Sequence, residues 1–219
     1  MLSVEKIDTR SKAQVHRFIH LPLRLYANHP QWAPPILSDI ALMLNWQKHP
    51  FYEHSDADFF IATRDGRDVG RVAALENRRF NEYHQTKQAQ FYLFDCEDDL
   101  EAAAALFEQV FEWARARGLN RVVGPKGFGP LDGYGLLVEG FEHRQMMTMM
   151  NYPQFQGHGG NALLYSEMEK TIREFKFEHA DLTQVAESAM QMRRDLENVG
   201  GKAYKNHRVY RRDVRSHKA

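Results

Sequence analysis

The sequence predicts an α/β protein with a mixed, mostly antiparallel central sheet and flanking helices. The first sign is a hairpin, because apolar runs at 59–63 and 69–75 are separated by an Asp-Gly pair, which is favoured in tight turns. The second is a strand over 90–95 that leads into an amphipathic helix over 98–117 and a short strand at 121–124. If that helix is a crossover, the strands on either side of it are parallel.

Helical and strand patterns elsewhere complete this architecture. We expect a first strand over 4–8 and then a helix that begins after Thr9 or Ser11. Pro22 is expected to kink or split that helix, because proline lacks the N–H that an inner helical turn needs. Four short patterns indicate the other elements: a helix over 37–44, a strand over 180–185, a helix over 189–199 and a last strand over 203–214.

Charge and composition exclude several classes of protein. Lys plus Arg, at 29, equals Asp plus Glu, at 29, so no net field attracts a polyanion. We therefore expect no nucleic-acid binding and no membrane binding. The charged first residues and the shortness of every apolar run argue against a secretion signal or a membrane span.

The cysteine and histidine content bears on disulfides, cellular compartment and metal binding. Cys96 is the one cysteine, which excludes an internal disulfide, fits a reducing compartment and leads us to expect a cytoplasmic location. Its neighbours are carboxylates, so we expect a raised thiol pKa and a poor nucleophile. The 11 histidines are scattered without metal-site spacing, so no metal is expected.

A glycine-rich stretch over 124–141 predicts a shaped loop rather than a helix or a regular strand. A long loop beside a crossover is a common place for function, although a plain connector fits as well. Within it, Asp132 and Tyr134 are candidates for binding an amine. Asp132 could equally close a turn through its own backbone.

A second glycine cluster, over 156–161, stands before a predicted helix. The first amides of a helix are unpaired and carry partial positive charge, and glycines let an anion approach them closely. The cluster therefore suits a phosphate group. Glycines also make ordinary tight turns before helices, so the glycines alone leave both interpretations open.

The segment over 152–164 resembles the pyrophosphate loop of the GNAT superfamily of N-acetyltransferases. Gln156 and Gly159 match that loop, whereas Asn161 stands where Gly or Ala is usual. Residues 1–150 look similar to the first part of larger bacterial proteins with GNAT-like lobes.

The resemblance implies two domains. Residues 1–150 would be a GNAT-like lobe without its own pyrophosphate loop, because the strand-to-helix junction over 94–99 is acidic and free of glycine. Residues 151–219 would be the closing part of a GNAT-like fold that carries the pyrophosphate loop.

The resemblance also implies an activity, the acyl-CoA-dependent transfer of an acetyl or similar group to an amine. The co-substrate would be acetyl-CoA or another acyl-CoA, and the acceptor a small-molecule or protein amine. Candidate bases are Glu142 and His143, and the candidate acid is Tyr204, although each also fits an ordinary surface or packing role. The residues assigned to the cofactor loop are Gln156, Gly157, His158, Gly159, Gly160, Asn161 and Ala162.

Two alternatives stay open. Ala189 and Leu196 stand where the family often has an asparagine and a tyrosine, which favours a non-catalytic GNAT-like module that binds a partner or forms a homodimer. A nucleotide-binding protein is a more remote option. The glycines are not followed by Lys-Ser or Lys-Thr, which argues against a P-loop.

Overall fold

The computed structural model describes residues 1–129, 132–133, 136–139, 190, 193–194, 197, 202–203, 206–208 and 210–213. The elements in chain order are β1 (Leu2–Lys6), α1 (Lys12–Leu25), α2 (Leu37–Met43), a 3-10 helix (Pro50–Glu53), β2 (Asp56–Arg64), β3 (Arg67–Glu76), α3 (Arg78–Tyr83), β4 (Gln88–Cys96), α4 (Leu100–Ala116), β5 (Arg121–Gly124), β6 (Leu136–Glu139), β7 (Asn206–Arg208) and β8 (Tyr210–Asp213).

One sheet of six strands, in the order β1-β2-β3-β4-β5-β8, forms the centre of the described structure. Its pairs are antiparallel except β4 with β5, which are parallel. The predicted fold class, a mixed and mostly antiparallel sheet with flanking helices, is confirmed. Strands β6 and β7 form a separate antiparallel pair. Strand β8, from the last part of the chain, pairs with β5.

Local patterns account for most of these elements. The predicted Asp65-Gly66 turn joins β2 to β3, and both residues have positive φ, at 50° and 80°. Helix α1 begins after Ser11, whose hydroxyl accepts a hydrogen bond from the backbone N–H of Gln14. Helix α4 is the predicted crossover between the parallel strands β4 and β5.

Two apolar cores lie on the two faces of the sheet. Helix α4 covers one face, where Leu106, Val110 and Trp113 pack against alternate residues of the strands. Helices α1 and α2 cover the other face, where Phe18 and Phe59 are buried. Because side chains alternate along a strand, each residue of β4 belongs to one of these two faces.

Of the two expected effects of Pro22, a kink or a split, the split does not occur, because α1 runs unbroken from Lys12 to Leu25. Proline at position 22 cannot donate a hydrogen bond to the carbonyl of Phe18, four residues earlier. In the structure, the guanidinium of Arg71 donates to that carbonyl at 2.7 Å instead. The acceptor that proline leaves open is therefore satisfied from β3.

Arg71 also ties β3 to the far end of β4. Its guanidinium is buried and forms an ion pair with Asp95 at 2.8 Å. The hydroxyl of Tyr26 donates to the other carboxylate oxygen of Asp95 at 2.9 Å. One buried cation thus connects α1, β3 and β4.

Replacing the guanidinium tests this connection. We expect Arg71→Met to lower the free energy of unfolding by about 3–5 kcal/mol, because it leaves the part-buried Asp95 without its cation and the carbonyl of Phe18 without a donor. Urea denaturation measures the loss, and Arg79→Met, on an exposed arginine, is the control.

The same experiment in a Pro22→Ala background isolates the carbonyl contact. Alanine supplies the missing N–H, so Arg71→Met should cost less there, by at least about 0.5 kcal/mol. Strict additivity of the two substitutions would show that Arg71 does not compensate for the proline.

Candidate functional site

Strand β4 changes its partners halfway along its length. Its first three residues, from Gln88 to Gln90, pair in parallel with Arg121 to Val123 of β5. Its outer half continues to Cys96 alongside β3 alone, as far as the described residues go. Beyond β5, the N–H of Lys126 donates to the carbonyl of Phe91 at 2.9 Å. The regular parallel pairing therefore ends at Gln90, and one further backbone hydrogen bond, from Lys126, follows at Phe91.

A bulge lies in the outer half of β4, just past the end of this pairing. The register places Arg71 opposite Asp95 but Ala73 opposite Tyr92, so β4 carries one residue more than β3 between these pairs. Leu93 lies within the bulge and has a φ of 50°. Bulges of this kind turn a strand away from its regular path and are frequent beside active sites.

The glycine-rich loop that follows β5 is anchored in the core by an aromatic side chain. Phe128 is 4% exposed, and its ring lies 4.6 Å from that of Phe51 and 5.3 Å from that of His49, measured between centroids. It belongs to the apolar core on the α1 and α2 side of the sheet. This anchor brings the loop over the face of β4 that carries Tyr92.

Asp132 closes a turn in this loop, as one of the two interpretations of the sequence predicted. Its carboxylate accepts from the N–H of Gly129 at 2.7 Å, and its own N–H donates to the carbonyl of Gly129. The N–H of Gly133 donates to the hydroxyl of Tyr92 at 3.3 Å. These bonds hold Asp132 beside β4. Tyr134 lies outside the described residues.

The titratable groups around this turn share a partly buried environment. Burial raises the pKa of the Asp132 carboxyl, and it lowers the pKa of the His49 imidazole. Burial, followed by the nearby charge of Asp132, raises the pKa of the Tyr92 hydroxyl to about 12. His49 Nδ1 accepts from the N–H of Phe51, so the neutral ring carries its proton on Nε2.

Gln90 is the polar residue whose placement packing does not explain. It is 1% exposed, and its carbonyl oxygen has no hydrogen-bond partner in the part of the chain that the structure describes. An unsatisfied buried acceptor costs about 1–3 kcal/mol. Gln90 shares a face of β4 with Tyr92, because the two are separated by one residue. We call His49, Gln90, Tyr92 and Asp132 the β4 polar cluster.

The N-terminal end of α4 is closed by the protein's own carboxylates. Asp99 accepts from the N–H of Ala102 at 3.0 Å and forms a two-pronged ion pair with Arg64. Glu97 pairs with Arg24 and Arg67. A phosphate at this end of the helix would have to displace Asp99 from the amides that it caps.

Cys96, at the same junction, has the raised pKa that its neighbours predicted. Burial is the main cause, followed by the charge of Asp99, and together they raise the pKa of the thiol to about 11. The sequence indicated the carboxylates, whereas burial became visible only in the fold. The thiol stays protonated near neutral pH, so Cys96 is no candidate nucleophile.

A groove of about 370 Å³ lies between α1 and the turn that joins β2 to β3. It is lined by arginines, but Arg17 pairs with Asp68 and Glu5, and Arg67 pairs with Glu97. Because these charges are balanced within the protein, the groove is a weaker candidate site than the β4 polar cluster.

All the catalytic and cofactor residues that the resemblance assigned lie outside the described residues. They are Glu142, His143, Tyr204, Gln156, Gly157, His158, Gly159, Gly160, Asn161 and Ala162, and their roles stay predictions. His49, Gln90 and Tyr92 were not among the predicted site residues. The signal that could have indicated a polar face on β4 is the pair of glutamines at alternate positions of this central strand, Gln88 and Gln90.

Among the described residues, none of the helices is long and apolar enough to cross a membrane. The same residues contain no group of three or more histidine, cysteine or acidic side chains placed to hold a metal ion.

Comparison with known proteins gives two curated relatives. The chain is 31% identical over 182 residues to a bacterial ceramide synthase from Caulobacter vibrioides, covering 83% of this chain and 47% of the relative. It is 28% identical over 169 residues to protein YghO of Escherichia coli, covering 74% of this chain and 43% of that protein. The chain thus spans about half the length of the curated relatives it matches. No protein-family model matches the chain.

Similar solved structures are N-acyltransferases of the GNAT kind. A tandem GNAT protein from the clavulanic acid biosynthesis pathway has a TM-score of 0.48 and 16% identity, covering 77% of this chain and 43% of the other. A GNAT-family acetyltransferase from Staphylococcus aureus has a TM-score of 0.46 and 10% identity, covering 98% and 100%. Both are likenesses of overall fold to proteins described as GNAT. At these identities and scores no activity, ligand or residue role passes from them to this chain.

Two glycines of the loop provide a test of the turn at Asp132. A Cβ on Gly127 would lie 2.2 Å from the Cβ of Asp132, whereas one on Gly129 would come no closer than 3.9 Å to its carboxylate. We therefore expect Gly127→Ala to lower the free energy of unfolding by about 1–3 kcal/mol in urea denaturation.

Gly129→Ala is the matched control and should change the free energy of unfolding by less than about 0.5 kcal/mol. Equal effects of the two substitutions would show that Asp132 does not occupy this place against the loop backbone.

Proposed function

We propose that the protein is an acyl-CoA-dependent N-acyltransferase, which moves an acetyl or similar group from acyl-CoA to an amine. The observation that carries the proposal is the end of the pairing between β4 and the β5 side of the sheet at Phe91, beside the β4 polar cluster. Past Phe91, β4 pairs within the described residues with β3 alone, and the free side of a strand offers backbone N–H and C=O groups in a row. The pantetheine arm of coenzyme A is an extended chain with two amide groups, so it suits such a row.

The pyrophosphate of the co-substrate needs a different place from the N-terminus of α4, because the carboxylate of Asp99 already caps that end. We assign it to the glycine cluster over 156–162, on the strength of the sequence pattern. Its backbone amides would hold the two phosphates, with glycine allowing their close approach. The candidate acid Tyr204 would return a proton to the thiolate of coenzyme A.

The similarity to a protein described as a ceramide synthase supports the reaction class. A ceramide is the amide of a fatty acid with a long-chain amine, so its synthesis forms the same kind of bond as acetyl transfer to an amine. For this chain we propose only that the acceptor is an amine, in a small molecule or a protein.

A non-catalytic GNAT-like module that binds a partner or forms a homodimer is the second candidate. The observation that favours it is the presence of Ala189 and Leu196 where the family often has an asparagine and a tyrosine. It differs from the first candidate in predicting no release of coenzyme A with any amine.

The first test measures binding. We expect acetyl-CoA or a longer acyl-CoA, at about a hundred times its dissociation constant, to stabilise the protein by about 2.7 kcal/mol. For a chain of this size that raises the melting temperature by roughly 5–10 °C. Gly159→Val should abolish the rise, because a side chain there blocks the approach of the phosphates, whereas Ser3→Val on the exposed face of β1 should keep it.

The second test measures turnover. The protein, an acyl-CoA and a panel of primary amines should release free coenzyme A, detected as a new thiol, together with the N-acyl amide. If no acyl-CoA and no free coenzyme A shifts the melting curve at millimolar concentration, the proposal is wrong. Binding without turnover of any amine would favour the non-catalytic module.

A further inference from the structure

The β4 polar cluster contains a hydrogen-bond acceptor with no donor. The carbonyl oxygen of Gln90 is fully enclosed and has no partner in the described ranges of the chain. Nearly all buried polar groups in folded proteins are paired, so an exception calls for a specific explanation. A ligand that brings an N–H to this oxygen is one.

The neighbouring groups on the same face are also mainly acceptors. Tyr92 lies two residues further along β4, at roughly 7 Å between Cα atoms. Its hydroxyl accepts from the N–H of Gly133, which keeps the loop and Asp132 beside it. The carboxylate of Asp132 accepts from the backbone N–H of Gly129 through Oδ2, and the backbone N–H of Phe128 also bonds to it.

The groups around Asp132 do not cancel the negative charge of its carboxylate. His49 interacts electrostatically with Asp132, but its Nδ1 accepts from the N–H of Phe51, so the neutral ring has only Nε2–H to donate. Tyr92 is the second neighbour, and Arg71 and Asp95 act on Tyr92 with opposite signs. Arg71 in turn is paired with Asp95. A site with an acceptor amide, a hydroxyl and a carboxylate suits a positively charged N–H donor.

We propose that Gln90, Tyr92 and Asp132 bind the amine of the acceptor substrate, and that Asp132 takes up the proton that this amine loses. The inference rests on the proposed acyl transfer and names the acceptor site for it. The cluster lies where the pairing of β4 with β5 ends, next to the row of backbone groups that would hold the acyl-CoA arm.

The carboxylate of Asp132 first takes one proton from the bound ammonium and passes it to water, which frees the lone pair of the nitrogen. The neutral nitrogen then attacks the thioester carbonyl carbon, a C–N bond forms, and the C–S bond breaks with its electron pair leaving on sulfur. The nitrogen loses its second proton to solvent, and the thiolate takes a proton from solvent or from an acid, which completes the amide and free coenzyme A. Burial suits Asp132 to this task, because a carboxylate with a raised pKa is a stronger base.

Gln90→Leu tests the amide. It removes the orphan acceptor at similar volume, so stability in urea should stay equal or rise. The KM for the amine should increase about tenfold or more, while the KM for acyl-CoA stays within twofold. Gln88→Leu, on the same strand and face, is the control and should leave both KM values unchanged. If Gln90 has only a structural role, the substitution would change the free energy of unfolding and leave the KM values for the amine and for acyl-CoA unchanged.

Asp132→Asn tests the proton acceptor. Asparagine keeps an oxygen for the N–H of Gly129, so the turn should survive, and the melting temperature checks that it does. We expect kcat/KM to fall about a hundredfold. In the wild type, kcat/KM should also decline at acid pH because Asp132 becomes protonated, and this decline should be absent in Asp132→Asn. Asp98→Asn, an exposed charge-matched control, should keep the wild-type profile.

The outcomes separate this inference from the function on which it rests. Turnover in the wild type with unchanged KM values in Gln90→Leu and an unchanged pH profile in Asp132→Asn would overturn the inference and leave the acyltransferase standing. An unchanged profile would also point to Glu142 or His143 as the base.

Binding can be measured without turnover. Calorimetric titration with ethanolamine and decylamine should show binding to the wild type that is at least tenfold weaker in Gln90→Leu. Equal affinity for both proteins, or none for the wild type, would contradict the site whether or not acyl transfer occurs.

Discussion

The buried guanidinium of Arg71 is the interaction on which the arrangement of α1, β3 and β4 depends. It donates to the carbonyl of Phe18 that Pro22 leaves open, and it pairs with Asp95 at the far end of β4. A charge buried to this degree is stabilising only when its hydrogen bonds are satisfied, and here they reach two other elements. The outer half of β4 is thereby held against β3 and α1 without help from β5.

This anchoring holds the part of β4 that extends beyond its pairing with β5, where the proposed site lies. The regular pairing of β4 with β5 ends at Gln90, and the chain beyond β5 makes one more hydrogen bond, at Phe91, before it continues over the face of β4. The loop then brings Asp132 to Tyr92 and places Phe128 among the aromatic rings of the core. The end of the parallel pairing and the polar cluster therefore lie side by side.

Much of the fold follows from local sequence. The hairpin, the Ser11 cap and the crossover helix depend on turn, capping and periodicity rules that act over a few residues. The unbroken α1 did not follow, because the donor that rescues it comes from another strand. The missing partner of the Gln90 oxygen did not follow either, since it depends on which distant side chains the fold brings near β4. For Asp132 the sequence offered a turn or a binding role, and the contact with Gly129 shows the turn while leaving the carboxylate beside Tyr92.

A crystal structure with coenzyme A and a primary amine bound would decide whether β4 holds the co-substrate. We expect the pantetheine arm to run along β4 past Phe91, on the side opposite β3, with the sulfur next to Gln90 and Tyr92. A segment of the protein hydrogen-bonded along that side of β4, with coenzyme A bound elsewhere, would contradict it.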